Sequence, residues 1–139
     1  MKEFSYGICP YKIVDGQYYI LLNKTSAISY FNFFKGKIEN SETPSDCAIR
    51  EFKEEAGIVV KGTHLEEYFC QKAKRKDVGV FLVDWYNYTE DFTFQKEEIF
   101  SAEWVRPQDI EVSNNQKKIL DQIIMHFITK EDNLRNINT

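Results

Sequence analysis

The chain has 139 residues, of which 42% are hydrophobic and 15% aromatic, enough apolar material for one folded domain. These values exclude global disorder, and the length leaves no room for a second full domain. With 18 Lys and Arg against 22 Asp and Glu, the net charge of -4 argues against a protein that binds duplex nucleic acid non-specifically.

No membrane partner or export signal is expected from the sequence. The longest stretch without a charged residue, residues 25–34, is too short to span a bilayer. Residues 1–6 do not resemble a signal peptide, because no apolar segment follows them. Cys9, Cys47 and Cys70 are widely spaced and form no C-x-x-C pair, which suggests neither a disulfide framework nor a zinc site. We therefore expect a cytoplasmic protein.

The predicted elements begin with a β-hairpin. Two strand-like runs, residues 5–12 and 17–23, flank the dipeptide Asp15-Gly16, which is typical of tight hairpin turns. Aromatic residues then crowd residues 30–34, immediately before Lys35-Gly36-Lys37.

A helix with clear end signals follows. Thr43 is a suitable N-cap, Pro44 suits the first helical position, and Asp46 stands where a capping box places its acidic residue. Gly57 provides the C-terminal stop. The helix is therefore predicted between Thr43 and Gly57.

Strands and one further helix make up the rest of the chain. Strands are predicted near residues 58–60, 65–71 and 102–105, and a central strand buried on both faces at residues 78–88. The last helix is predicted from about residue 113 to 128, and after residue 130 the polar composition predicts a frayed tail. The order of elements indicates an α/β or α+β fold with a mixed sheet. One domain over residues 1–130 and a polar tail over residues 131–139 are expected.

Three glutamates lie together on the first predicted helix. Glu51, Glu54 and Glu55 are three and four positions apart, so they share one helix face, while Ile49 and Phe52 fall on the opposite face. Like charges at this spacing repel, and a compensating cation is expected. Arg50 is one candidate, but hard oxygen ligands on a rigid element suit Mg²⁺ or Mn²⁺ better. A solvated surface face is the alternative interpretation of the same glutamates.

The sequence around this helix resembles the Nudix box, G-x5-E-x7-R-E-U-x-E-E-x-G-U, in which U is a bulky aliphatic residue. All seven fixed polar or glycine positions match, and they are Gly36, Glu42, Arg50, Glu51, Glu54, Glu55 and Gly57. Phe52 is aromatic where Ile, Leu or Val is usual, but it remains apolar and faces the predicted core. The chain is thus identified by resemblance with the Nudix hydrolase (MutT-like) superfamily, over about residues 6–127.

The resemblance implies a fold, a cofactor and a set of roles. The fold is a mixed β-sheet sandwiched between helices in a single domain, and the cofactor is Mg²⁺, with Mn²⁺ as the alternative. The metal ligands would be the carbonyl of Gly36 and the carboxylates of Glu51, Glu54 and Glu55. Glu42 would be a supporting carboxylate or a ligand of an additional ion, and Arg50 would orient a glutamate.

The general base varies within the family, and two alternatives remain. One is a glutamate of the box, Glu51 or Glu54. The other is a glutamate on a later loop, where Glu97-Glu98 precedes Trp104 with a spacing that resembles diadenosine tetraphosphate hydrolases. Glu98 is preferred over Glu97 as an extra ligand or base.

The substrate is expected to be a small nucleotide with a phosphoanhydride bond. Residues 33–38 resemble the F-P-K-G-K/H segment of dinucleoside tetraphosphate hydrolases and mRNA-decapping enzymes, although Phe34 replaces the proline. The expected phosphate contacts are Lys35 and Lys37 and, from the basic loop at residues 71–77, Lys72 and Lys74. Tyr30, Phe31 and Tyr86 are candidates for stacking on a base.

The sequence leaves three possible functions. The leading expectation is a divalent-metal-dependent pyrophosphohydrolase acting on a dinucleoside polyphosphate such as diadenosine tetraphosphate. The alternatives are an enzyme that removes phosphates or caps from RNA 5′ ends and a non-catalytic module that senses a nucleotide. Neither a membrane nor duplex nucleic acid is an expected partner, and the sequence is compatible with a monomer or a homodimer.

Overall fold

The computed structural model of the chain describes residues 1–89, 91–94 and 99–138, with the backbone alone described for residues 134–138. Six strands and two α-helices form the framework. The strands are β1 (Glu3–Val14), β2 (Gln17–Lys24), β3 (Phe34–Lys37), β4 (Leu65–Gln71), β5 (Lys76–Asp84) and β6 (Ser101–Val105). The helices are α1 (Pro44–Ala56) and α2 (Lys117–Asn138). Among the described residues, no helix is long and apolar enough to cross a membrane.

The sheet is mixed and is sandwiched between the two helices, as expected. Its order is β4-β5-β1-β2-β6, with β5 parallel to β1 and the other pairs antiparallel. Alternation along β1 directs Ile8 to a core that contains Phe52 of α1, and Cys9 to a second core that contains Ile123 of α2. Each helix therefore covers one face of the sheet.

The sheet forks beside β1. Because β5 pairs with one edge of β1 over residues 3–11, both β2 and β3 must pair with the other edge. β3 takes residues 5–8 of that edge, and β2 takes residues 11–14. β2 then runs on to pair with β6, so that β2 and β3 leave β1 at neighbouring points. The fork brings residues from β2, β3 and α1 to one place.

Several predicted elements are confirmed. The β1–β2 hairpin turns at Asp15 and Gly16, whose φ angles of 51° and 77° are those of a tight hairpin turn. β4 has the predicted bounds, and β5 is an interior strand with Val80 and Leu82 fully buried. All three cysteines are free, with Cys9 and Cys47 buried.

Other predicted bounds are wrong. Residues 58–60 alternate in burial as a strand would, but they pair with no described strand and extend from α1 toward a short 3-10 turn. β5 ends at Asp84, whose carboxylate accepts a hydrogen bond from the Tyr86 backbone and starts another 3-10 turn. α2 begins at Lys117 after a 3-10 turn and continues to Asn138, so the predicted end at residue 128 is incorrect, while the polar tail over residues 131–139 stays a prediction.

Candidate functional site

The ends of α1 are fixed as its sequence predicts. The Thr43 hydroxyl accepts a hydrogen bond from the Asp46 backbone, and the Asp46 carboxylate accepts one from the Thr43 backbone, which completes the capping box. At the other end Gly57 takes a left-handed φ of 76° and donates its N–H to Lys53. The helix thus presents Arg50, Glu51, Glu54 and Glu55 on a rigid element.

Arg50 lies at the centre of a carboxylate cluster. Its Nε and Nη2 donate to the two oxygens of Glu42 at 2.6 and 3.0 Å. Its Nη1 donates to Glu51 at 2.9 Å and reaches Glu54 at 3.3 Å. The carbonyl of Lys37 accepts a further bond from Nη2 at 3.0 Å, which ties the loop before α1 to the helix. The predicted orienting role of Arg50 is compatible with this geometry.

The charges in this cluster stabilise one another. Hydrogen bonds from Arg50 hold the pKa of the Glu42 carboxyl below its ordinary value. The same bond to Glu42, with a further contribution from Glu51, raises the pKa of the Arg50 guanidinium. Both groups are therefore charged near neutral pH, and the guanidinium compensates the repulsion among the glutamates.

Gly36 leaves the space that the Glu51 carboxyl fills. A Cβ at this position would lie 2.0 Å from the carboxyl carbon of Glu51, far inside contact distance. The Gly36 carbonyl accepts a hydrogen bond from the Cys47 thiol at 3.4 Å, which fixes β3 against α1. The close approach thus brings the predicted carbonyl ligand and the predicted carboxylate ligand together.

Glu55 lies buried at the end of the same helix, with 9% of its surface exposed. Together with Lys35 it lines a cavity of about 390 Å³ at the fork of the sheet. Burial and, to a smaller extent, the nearby ammonium of Lys76 lower the pKa of Lys35 to about 8, whereas the charge of Glu55 opposes the shift. The site therefore has a carboxylate and two lysines in close proximity.

The donor set suits a hard divalent cation, because it consists of carboxylate oxygens and a backbone carbonyl. Within the described ranges, no group of three or more His, Cys, Asp or Glu side chains has metal-ligating geometry. Arg50 holds the Glu51 and Glu54 carboxylates, while Glu55 lies on the cavity side of the helix. The chemistry of the donors and the space left by Gly36 fit the implied metal ion.

The predicted phosphate-binding lysines are only partly brought together. Lys35 lies in the cavity, and Lys37 is exposed and forms an ion pair with Glu3 at 3.0 Å. Lys72 and Lys74 lie exposed in the loop before β5. Lys76, which was not among the predicted contacts, lies beside Lys35 because β3 and β5 flank the same stretch of β1. Its place in the basic loop was the only sequence signal.

The three candidate stacking residues lie in different environments. Tyr30 is 59% exposed in the loop that borders the cavity. Phe31 packs on the α2 core, with the Lys24 ammonium 4.7 Å from its ring centre. Tyr86 lines a separate cavity with Lys12 and Ile13. Gly36 pairs with Tyr6 of β1, whereas the residues at this cavity lie at least five positions further along β1. That separation is roughly 17 Å, so Tyr86 does not lie at the box.

Two positions that depart from the family pattern touch each other. The rings of Phe34 and Phe52 meet edge to face at 5.5 Å between centres. Phe94 stacks on Phe34 at 6.0 Å, and Phe92 meets Phe52 at 6.3 Å. The Thr93 N–H donates to the carbonyl of Ala56 at 2.9 Å. Residues 91–94 are thereby packed against the C-terminal end of α1.

The predicted loop glutamates Glu97 and Glu98 lie outside the described residues.

Comparisons with known proteins identify the domain. A family model described as a NUDIX domain matches residues 9–127. No curated protein matches the chain significantly in sequence.

Solved structures share the fold. An Ap4A hydrolase binary complex from C. elegans has 21% identity and a TM-score of 0.68, with 91% of this chain and 98% of that chain covered. The NUDIX domain of Shewanella oneidensis NrtR complexed with ADP ribose has 11% identity and a TM-score of 0.68, covering 91% and 88%. The MutT protein from Methanosarcina mazei Go1 has 17% identity and a TM-score of 0.65, covering 90% and 94%.

Proposed function

The chain belongs to the Nudix family and is a pyrophosphohydrolase, and we propose that it uses a divalent metal ion to cleave a dinucleoside polyphosphate such as diadenosine tetraphosphate. The observation that carries the proposal is the intact box around Arg50, with Gly36 and Glu51 in close approach. One structural neighbour, the Ap4A hydrolase from C. elegans, supports the choice of substrate class.

The proposed metal ligands are Glu51, Glu54, Glu55 and the carbonyl of Gly36. Mg²⁺ is the proposed ion, with Mn²⁺ as the alternative. When bound, such an ion neutralises phosphate charge and lowers the pKa of a water molecule. Glu42 acts through Arg50, since it holds the guanidinium from the side opposite Glu51.

The remaining roles fall to residues of this chain. Lys35 and Lys76 are the proposed contacts for a phosphate, because Lys35 lines the cavity with Glu55 and the Lys76 ammonium lies beside that of Lys35. Lys37, Lys72 and Lys74 are proposed for the outer phosphates of a longer chain. A carboxylate accepts the proton of the attacking water, and Glu51, Glu54 and Glu98 are the proposed candidates.

The choice of substrate is tested by product analysis with Mg²⁺ over a nucleotide panel, with the Glu55→Gln variant as the blank. The panel contains diadenosine tetraphosphate, ADP-ribose, a nucleoside triphosphate, a nucleotide sugar and 5′-triphosphorylated RNA. We expect diadenosine tetraphosphate to be cleaved with the highest kcat/KM, yielding ATP and AMP. Preference for the RNA would replace the proposed substrate by an RNA 5′ end. Nucleotide binding without turnover would favour a sensing module.

A further inference from the structure

The outward face of α2 carries exposed apolar side chains. Ile119, Ile123 and Phe127 are buried against the sheet, so they define the inner face of this helix. Because side chains advance about 100° per residue, Met125 lies about 200° from Ile123 and faces away from that core. Met125 is 61% exposed and Ile128 is 42% exposed. The fold of one chain thus leaves both residues in contact with solvent.

A cavity lies beside Met125, between α2 and β4, which ends the order of the described strands. The cavity has a volume of about 530 Å³ and a mostly apolar wall, to which β4 contributes Phe69. A methionine side chain is flexible and polarizable, so it suits a cavity with an aromatic wall. The α2 face therefore presents a projecting methionine next to a cavity that can receive one.

Charged residues flank this apolar centre. Exposed residues that recur at intervals of three and four form one stripe along α2, and they are Lys118, Asp121, Met125, Ile128 and Asp132. Lys118 and Asp132 are each seven residues from Met125, on opposite sides of it. If two such helices pair antiparallel about a two-fold axis at Met125, each Lys118 lies opposite Asp132 of the other copy. The stripe is therefore complementary in charge to itself.

We propose that this α2 face, defined by Lys118, Met125, Ile128 and Asp132 with the cavity beside Met125, is the interface of a homodimer. The two helices pair antiparallel, and Met125 of each copy enters the cavity of the other beside Phe69. Two Lys118–Asp132 ion pairs fix the register of the helices. Opposite charges at equal distances from Met125 are what a two-fold axis requires, whereas an unrelated partner requires no such relation.

The proposed interface leaves the box accessible. Phe52 of α1 and Ile123 of α2 belong to cores on opposite faces of the sheet, so a second copy on α2 does not cover α1. The inference therefore goes beyond the proposed function and does not depend on it. Association of the chain, rather than turnover, is the property that tests it.

Sedimentation of the purified chain tests the association itself. α2 has 22 residues, about 33 Å, so the interface is small and we expect a dissociation constant of about 10 µM. Met125→Lys places two like charges at the axis and should weaken the dimer at least tenfold. A chain that stays monomeric at about 300 µM, 30 times the expected constant, would overturn the homodimer and leave this face to a different partner.

Charge reversal tests the register. Lys118→Glu gives the homodimer two Glu–Asp contacts, and Asp132→Lys gives it two Lys–Lys contacts, so each variant alone should dimerise at least tenfold more weakly. When the two variants are mixed, both ion pairs of the mixed dimer again join opposite charges. Its affinity should return to within about threefold of the unmodified dimer. Residues 118 and 132 of one helix are about 21 Å apart and cannot pair with each other, so this recovery requires two chains.

Lys117→Glu is the matched control, because it makes the same change of charge at an exposed position next to the stripe. It should dimerise like the unmodified chain, and thermal unfolding should show that every variant is folded. A dimer that Met125→Lys does not weaken would place the interface elsewhere and overturn the proposal. Failure of the mixed variants to associate, or equal weakening by Lys117→Glu and Lys118→Glu, would overturn it as well.

Discussion

Arg50 links the carboxylates of α1 to the carboxylate of the loop before it. Its planar guanidinium reaches Glu42, Glu51 and Glu54 at once, from a position where 22% of its side chain is exposed. A lysine ammonium is a single compact donor group and cannot span carboxylates on opposite sides. The geometry, rather than the charge alone, therefore sets the positions of Glu42 and Glu51.

Replacing Arg50 with lysine should separate the contribution of the guanidinium's geometry from that of its charge. We expect Arg50→Lys to fold but to lose about 10–100-fold in kcat/KM, in line with losses of groups that orient metal ligands. The Mg²⁺ concentration for half-maximal rate should rise, because the carboxylates are no longer held in place. Steady-state kinetics over a Mg²⁺ series measures both quantities. Unchanged kinetics would show that the guanidinium is dispensable for orienting the box.

A methyl group at Gly36 should displace the Glu51 carboxyl. Because the added Cβ would lie 2.0 Å from that carboxyl carbon, Gly36→Ala is expected to lower kcat by at least tenfold. Gly62→Ala is the matched control, since a Cβ there meets nothing within 4 Å. Measurements of kcat and of thermal unfolding for both variants show whether the activity is lost while the domain stays folded. Equal activity of the two variants would contradict the close approach of Gly36 and Glu51.

At the scale of elements, the contact between β3 and α1 depends on an aromatic pair. Phe34 and Phe52 are both almost fully buried and meet edge to face. We expect a double-mutant cycle with Phe34→Leu and Phe52→Leu to give a coupling of about 0.5–1.5 kcal/mol in the free energy of unfolding. Urea denaturation of the four proteins measures it. Additive effects would mean that each ring packs independently of the other.

Local signals predicted the ends of α1 but not the strand bounds around it. The capping box and Gly57 depend on residues within one turn, so the sequence is sufficient to place them. Residues 58–60 have the β-branched composition of a strand, yet strand formation requires a neighbour, and none of the described strands pairs with them. Phe92 packs on Phe52 of α1 and Phe94 on Phe34 of β3, which joins segments 40 and 60 residues apart that no local pattern specifies.

The whole molecule should lose stability in mild acid through His126. Its Nε2 is buried without a partner among the described residues. Burial lowers its pKa below the ordinary value, Lys130 lowers it further, and Glu66 and Glu67 on β4 oppose the shift. Above pH 6.5 both folded and unfolded chains hold a neutral ring, but as the pH falls the unfolded chain takes up the proton first. Folding is thus disfavoured progressively below pH 6.5.

Urea denaturation at pH 7.5, 6.5 and 5.5 measures this dependence. One histidine contributes at most about 1.4 kcal/mol per pH unit to the free energy of unfolding. His126→Gln should reduce the loss between pH 6.5 and 5.5, because its side chain does not titrate. If the free energy of unfolding of His126→Gln depended on pH as it does in the unmodified chain, the acid sensitivity would come from other groups.

The sequence was sufficient to predict the site residues that lie close together along the chain. It was not sufficient to predict those that strand pairing brings to the site. Gly36, Glu42 and residues 50–57 lie within 22 consecutive positions, so their spacing alone identifies the box. Asn23 and Lys76 come from strands far from the box in sequence. Asn23 lines the cavity and Lys76 lies beside Lys35 only because β2, β3 and β5 all pair with β1, and that register depends on the whole fold.

The turnover of Glu55→Gln tests the metal-dependent hydrolase most directly. The variant keeps the shape of the buried side chain and removes the charge that a metal ion requires. With Mg²⁺ and diadenosine tetraphosphate, we expect kcat to fall at least a hundredfold while thermal unfolding stays cooperative. Glu103→Gln, at an exposed position of β6, should keep the unmodified rate. Near-normal turnover of Glu55→Gln would contradict its assignment as a metal ligand and, with it, the proposed use of the box.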